Sequence, residues 1–117
     1  MKYLVLIYAA EGTDPQPGTP EFDTMIEGYG AASACYVKEG AMLGGEALQP
    51  IAMSTTLRIR DGKTETMDGP FAETKEQLGG FYLLDCADLD AAIRYAEMIP
   101  TAKYGCVEIR PIQEYDV

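Results

Sequence analysis

The side chains able to do chemistry in this sequence are carboxylates and phenols, because histidine, the usual general base and commonest transition-metal ligand, is absent. Asp68 opens the densest run of candidates, Asp68-Gly69-Pro70-Phe71-Ala72-Glu73-Thr74-Lys75-Glu76-Gln77. Pro70 has a fixed φ and no N–H, which suits the start of a helical turn, so a short helix over residues 71–77 is predicted, with Gly69 extended before it. Asp68 then has two readings: a cap accepting from the free amides of that turn, or a catalytic carboxylate acting as base or ligand acceptor. Glu73 would complement the positive end of the same turn, although Glu73, Lys75 and Glu76 also make the mixed charge cluster of a solvated face.

Glu46 follows Gly44-Gly45, where missing side chains either let a ligand approach closely, leaving Glu46 at a cleft rim, or mark a bulge in an edge strand. Tyr8 and Tyr82 either turn their hydroxyls into a pocket or bridge core and rim. The candidate ligand-binding set is therefore Tyr8, Glu46, Glu73 and Tyr82. Arg58 and Arg60 share one strand face, as an anion clamp or as an ordinary exposed hairpin face. Cys35, Cys86 and Cys106 are odd in number and widely spaced, which argues against disulfides or a CxxC site and for small apolar fillers. No EF-hand-like loop is present, and neither a metal nor a cofactor is assigned.

The elements that must position these residues follow from periodicity. An apolar strand is predicted over residues 2–9, then a Gly/Pro-rich loop over residues 11–19. A helix begins at Thr19 as N-cap, with Pro20 first and Glu21 and Asp23 in the first turn, and stops at Gly40. Phe22, Met25, Ile26, Tyr29, Ser33 and Tyr36 recur on one face of it, and Gly28 and Gly30 are placed to let it approach the sheet. An extended segment at residues 41–48 precedes a strand at 55–60, the turn Asp61-Gly62, and a polar, solvent-exposed return strand at 63–67. A buried strand over residues 81–86, a helix from the cap Asp88 through Ile99 with Pro100 as stop, and a last strand over residues 106–112 complete the order. That order is the ferredoxin-like split βαβ arrangement of the α+β class, with an antiparallel sheet.

In this arrangement both helices lie on one sheet face, yet Tyr3, Val5 and Ile7 are no more apolar than Leu4, Leu6 and Tyr8 between them. The second face needs a cover, and a second copy of the chain is the economical one, so a sheet-to-sheet homodimer is expected. At 117 residues with 47% apolar side chains, one domain over residues 1–117 is expected. No apolar run approaches the roughly 18 residues of a membrane span, and the apolar start runs into Glu11 and Asp14 without a cleavage pattern, so a cytoplasmic protein is expected. A net charge of −10 and scattered basic residues argue against direct nucleic-acid binding.

The segment from Asp68 through Tyr82 resembles the signature of the DGPF subgroup of the YCII-related family. Gly44-Gly45-Glu46-Ala47-Leu48 and Asp88-Leu89-Asp90-Ala91-Ala92 before Ile99-Pro100 add to the likeness, which covers all but the loop from Glu11 to Pro20. The resemblance implies a dimeric α+β barrel and an association with extracytoplasmic-function sigma factors. It also implies, in other branches, a His-Asp pair that this chain cannot form. Three readings stand, in order: a small-ligand-binding or regulatory accessory protein with a small-molecule ligand and a sigma-factor-type partner, a cofactorless enzyme using carboxylates and tyrosines, and a structural dimeric adaptor.

Overall fold

The apolar opening run forms β1 (Lys2–Ala10) in the computed structural model, which describes residues 1–116. It is followed by α1 (Pro20–Lys38), β2 (Met42–Ala47), β3 (Thr55–Arg60), β4 (Lys63–Asp68), β5 (Glu76–Asp85), α2 (Leu89–Ala96) and β6 (Cys106–Pro111), with 3-10 turns at Ile51–Met53 and Pro100–Lys103. β5 and β6 flank β1 and β2 flanks β5, all antiparallel, so the sheet order is β2-β5-β1-β6. This is the ferredoxin-like α+β arrangement expected from the sequence. The hairpin β3–β4 is a separate two-stranded sheet inserted between β2 and β5.

Local signals placed most boundaries. Thr19 Oγ1 accepts from the Phe22 amide at 3.2 Å and Asp88 Oδ1 from the Ala91 amide at 2.9 Å, so both helices start at their predicted caps. Asp61 and Gly62 have φ of +50° and +73°, the two positive values a tight hairpin turn of matching twist requires. β4 is exposed along its whole length, as its polarity predicts. The expected bulge in the edge strand falls between Met42 and Gly44 of β2.

Other expectations need correction. α2 ends at Ala96, not Ile99, because the residue before a proline is driven out of helical geometry; Ile99 sits at φ −75°, ψ 118°, and Pro100 begins the 3-10 turn. The helix at residues 71–77 does not form. Gly69 is not extended but left-handed, at φ +99°, and its N–H and C=O are taken by Ser54 O and Thr56 Oγ1, both at 2.7 Å. Glu76, Gln77 and Leu78 instead pair with Ala10, Ala9 and Tyr8 of β1, so β5 starts five residues early. Long-range ladder bonds override the local helical signal at Pro70. Gly28 approaches not the sheet but the 3-10 turn, since a Cβ there would lie 2.6 Å from Pro100 Cγ, and Gly30 faces open space.

The core lies between the helices and one sheet face: Tyr3, Val5 and Ile7 of β1 and Tyr82 and Leu84 of β5 meet Ala32, Tyr36, Ala92 and Ala96 of the helices. Leu4, Leu6 and Tyr8, with Phe81 and Leu83 opposite, form the other face and are half-buried with no helix over them. α1 is unevenly seated. Ala32 and Tyr36 are fully buried, whereas Phe22, Met25 and Tyr29 are half-buried and Ile26 is 51% exposed. Among the described residues no helix is long and apolar enough to cross a membrane.

Candidate functional site

The N-terminal half of α1 stands off the sheet because the strands beneath it carry almost no side chain. Gly80 pairs with both Ile7 and Ala47, and Gly45 pairs with Tyr82, so this end of the helix-covered face is floored by glycine and alanine. A Cβ on Gly45 would lie 2.7 Å from the Tyr82 ring and one on Gly80 3.0 Å from the Glu46 carbonyl oxygen. The result is a cavity of about 910 Å³, walled by Phe22, Met25, Ile26, Tyr29 and Ser33 of α1 and by Tyr82, Met42 and Thr101. That volume is in the range of small-molecule sites.

Four hydroxyls face this space in two pairs: Ser33 Oγ with Tyr82 Oη at 2.9 Å, and Tyr29 Oη with Thr101 Oγ1 at 2.6 Å. Behind the second pair, Tyr104 lies 3.4 Å from Thr101 Oγ1 and donates to Asp14 Oδ1 at 2.6 Å, tethering the Gly/Pro-rich loop to the 3-10 turn. Burial raises the pKa of Tyr29, and burial followed by the bond to Asp14 pushes Tyr104 up to about 12. Both phenols therefore stay protonated at neutral pH. These hydroxyls offer polar but uncharged contacts, suited to binding and orienting a ligand; the charged groups on the same lining are the carboxylates of Glu11, Asp14 and Glu46.

Three of the sequence-derived candidates, Tyr8, Glu46 and Tyr82, line this cavity; Asp68 and Glu73 line neither it nor its neighbour. Tyr8 and Tyr82 do not form one pair, however, because Tyr82 is opposite Val5 on the helix-covered face and Tyr8 alternates onto the open one. Asp68 is the exposed last residue of β4, opposite Thr55; without the helix at residues 71–77 it caps nothing and Glu73 has no helix end to complement. Glu46 is exposed and opposite Phe81, at the edge of the open face. A second concavity of about 560 Å³, lined by Tyr8, Met53, Pro70, Phe71 and Leu78 among others, adjoins the first at the end of the sheet.

Arg58 and Arg60 share a face as expected, opposite Glu65 and Lys63. Cys86 is a buried filler, but Cys35 and the exposed Cys106 are not: their thiols donate to Glu39 at 2.8 Å and Glu76 at 2.7 Å, which raises both thiol pKa values and suppresses the thiolate. Among the described residues no group of three or more His, Cys, Asp or Glu could hold a metal ion. Sequence reasoning placed Tyr29 and Ser33 on the buried face of α1 but saw no site there. The four-residue spacing was the available signal; Thr101, Tyr104 and Asp14 carried none.

Comparison with known proteins agrees with this architecture in extent. The family model described as the YCII-related domain matches residues 1–116. An uncharacterised protein of Rhizobium meliloti (strain 1021) is 40% identical over 117 residues, covering 98% of this chain and 94% of that protein.

Proposed function

The chain belongs to the YCII-related family, and from that premise we propose that it is a small-ligand-binding protein whose site is the cavity beneath the N-terminal half of α1. The observation that carries this reading is the glycine and alanine floor: a helix held off a sheet by missing side chains, over a space of about 910 Å³ lined mainly by hydroxyls and apolar groups, with Glu11, Asp14 and Glu46 as its carboxylates. The space is a half-open cleft whose wall keeps Phe22, Met25 and Ile26 from packing on the sheet, and apolar groups held that way are better explained by an occupant than by the core. The ligand class is a largely apolar molecule without negative charge, since the carboxylates of Glu11, Asp14 and Glu46 on the lining disfavour an anion. The motif Asp68-Gly69-Pro70-Phe71 supports membership of the DGPF subgroup as part of this proposal, and a regulatory role beside a sigma-factor-type partner in the cytoplasm completes it.

The working unit in this reading is a homodimer joined through the open sheet face. Four strands about 4.8 Å apart and about 20 Å long give a footprint of roughly 400 Å², short of the roughly 800 Å² per partner of a standard interface. The β3–β4 hairpin supplies the difference. It carries Leu57 and Ile59 on one face at 57% and 60% exposure, and a lone two-stranded hairpin is marginal in water. Its projection also explains a radius of gyration of 16.4 Å where about 13 Å is typical for this length.

Thermal shift tests the cavity. Neutral 2-methoxynaphthalene and 2-naphthol are expected to raise Tm, and the anionic 2-naphthalenesulfonate is not. Ser33→Leu, which places an isobutyl group in the cavity, should abolish the shift. No shift with either neutral probe, or an equal shift in Ser33→Leu, would overturn the proposal.

A further inference from the structure

We propose that the cavity takes a protonated amine on an apolar body, with Asp14 as the counter-charge that receives the ammonium group. This rests on the cavity being a ligand site and names the charge of its ligand and the residue that holds that charge. The charged side chains on the lining are Glu11, Asp14 and Glu46, and among the described residues no lysine or arginine stands with them. The ion pairs of the described residues involve none of the three. A cleft whose charges are all of one sign, between low-dielectric walls, focuses its field inward and draws in the opposite sign.

A net charge of −10 makes acidic residues common anywhere on this surface, and what sets Asp14 apart is how it is held. Its loop opens with a turn in which the Thr13 amide and hydroxyl both bond the Ala10 carbonyl, at 3.2 and 2.6 Å. The carboxylate itself is caught from 90 residues away, by Tyr104 donating to Oδ1 at 2.6 Å, a charge-assisted bond. Tyr104 Oη also lies 3.5 Å from Met25 Sδ and 3.4 Å from Thr101 Oγ1, two atoms of cavity-lining residues. Asp14 Oδ1 is therefore no more than about 6 Å from either of them. Its charge is felt inside: the Tyr29 phenol, raised first by burial, is raised further by Asp14. Tyr104 uses one carboxylate oxygen to fix the group in place, and Oδ2 is left to accept from a ligand. The neighbouring wall suits the rest of such a molecule. Phe22, Met25 and Tyr29 stand on successive turns of α1 and present two aromatic rings and a thioether, which attract an ammonium group as well as an apolar body.

Three probes that share one ring system separate charge from shape: 2-naphthylmethylamine, a cation at neutral pH, the neutral 2-naphthalenemethanol, and the anionic 2-naphthoate. Affinities are read by probe fluorescence on the full chain at low ionic strength. The amine is expected to bind about fivefold more tightly than the alcohol, the factor that about 1 kcal/mol for a partly exposed ion pair represents, and the naphthoate more weakly than both. Asp14→Asn leaves an oxygen for Tyr104, so the loop stays docked, and should bring the ratio of amine to alcohol near one. Asp61→Asn, in the hairpin turn and absent from the lining, removes the same charge from the chain and should leave the ratio unchanged. Ser33→Leu should abolish binding of amine and alcohol alike. In the wild-type protein, salt at about 0.5 M should erode the advantage of the amine and spare the alcohol, a reading that needs no variant to fold. A preference that survives in Asp14→Asn, falls equally in Asp61→Asn, or ignores salt overturns Asp14 as the counter-charge. Amine binding that persists in Ser33→Leu overturns the cavity as its place. Binding of the alcohol with no preference for the amine overturns this inference and leaves the cavity reading standing; binding of no probe overturns both.

Discussion

Tyr36 is where α1, α2 and the sheet are locked together. Its ring is fully buried, edge-on to Tyr82 and Tyr95 with centroids 5.1 and 5.3 Å away, and its hydroxyl donates to the Tyr95 carbonyl at 2.5 Å. Tyr36→Phe keeps both ring pairs and deletes one hydrogen bond, and the Tyr95 carbonyl still accepts from the Met98 amide at 3.1 Å. Because no partner is left unsatisfied, the expected cost is about 1 kcal/mol. Tyr36→Ala loses about 3–5 kcal/mol for truncating a buried aromatic and about 0.5–1.5 for each ring pair, near the total stability of a small domain. It should be barely folded. Urea unfolding at constant m-value measures both. A cost above about 3 kcal/mol for Tyr36→Phe would refute the account of the carbonyl, and one below about 2 for Tyr36→Ala would refute the anchor itself. Alkaline pH gives an independent check. Burial raises the Tyr36 phenol well above its ordinary value of 10.0. Its stabilising contribution is therefore complete below about pH 10 and is lost as pH rises above it, because only the unfolded chain ionises readily. The urea midpoint should fall above pH 10, and less steeply in Tyr36→Phe.

Leu6→Asp, on the open face of the central strand opposite Phe81, should convert a micromolar dimer to monomer in sedimentation; a wild-type monomer at that concentration would sink the dimer proposal. Leu57→Thr with Ile59→Thr should weaken the dimer without changing the spectroscopic signature of the sheet, and an unchanged dissociation constant would free the hairpin of that role. Asp68→Ala and Asp68→Asn should each shift stability by no more than about 0.5 kcal/mol, since the exposed carboxylate caps nothing; a loss near 1 kcal/mol in the Ala variant alone would restore the cap. Gly62→Ala should cost about 1–2 kcal/mol, because alanine is strained at φ +73°, and a neutral result would mean the turn relaxes.

Much of the fold was legible because its signals are local. Thr19-Pro20 and Asp88 launch helices through bonds to amides three residues on, Asp61-Gly62 turns a hairpin through its own dihedrals, and the doubly apolar β1 announces a sheet with two faces to cover. The helical reading of residues 71–77 failed for the opposite reason. Pro70 is a genuine local signal, but the amides and carbonyls that follow it are claimed by β1 across a separation of about seventy residues, and no window of the sequence contains both partners.

What the sequence by itself determined is the class of side chain available and the frame that carries it: no histidine, with phenols and carboxylates as the candidate groups, and an α+β order whose sheet is apolar on both sides. The site was decided by tertiary structure. Strand register sets whether Tyr82 meets Ser33 or Tyr8, and it puts Gly45 and Gly80 beneath one end of a helix, where absent side chains become a cavity. The hydroxyl chain joins Asp14, Tyr29, Thr101 and Tyr104, residues up to 90 positions apart, through bonds that exist only once the loop, the helix and the 3-10 turn have met. Periodicity reports which face of an element is buried; it carries no information about what that face is buried against, and which hydroxyls meet depends on that.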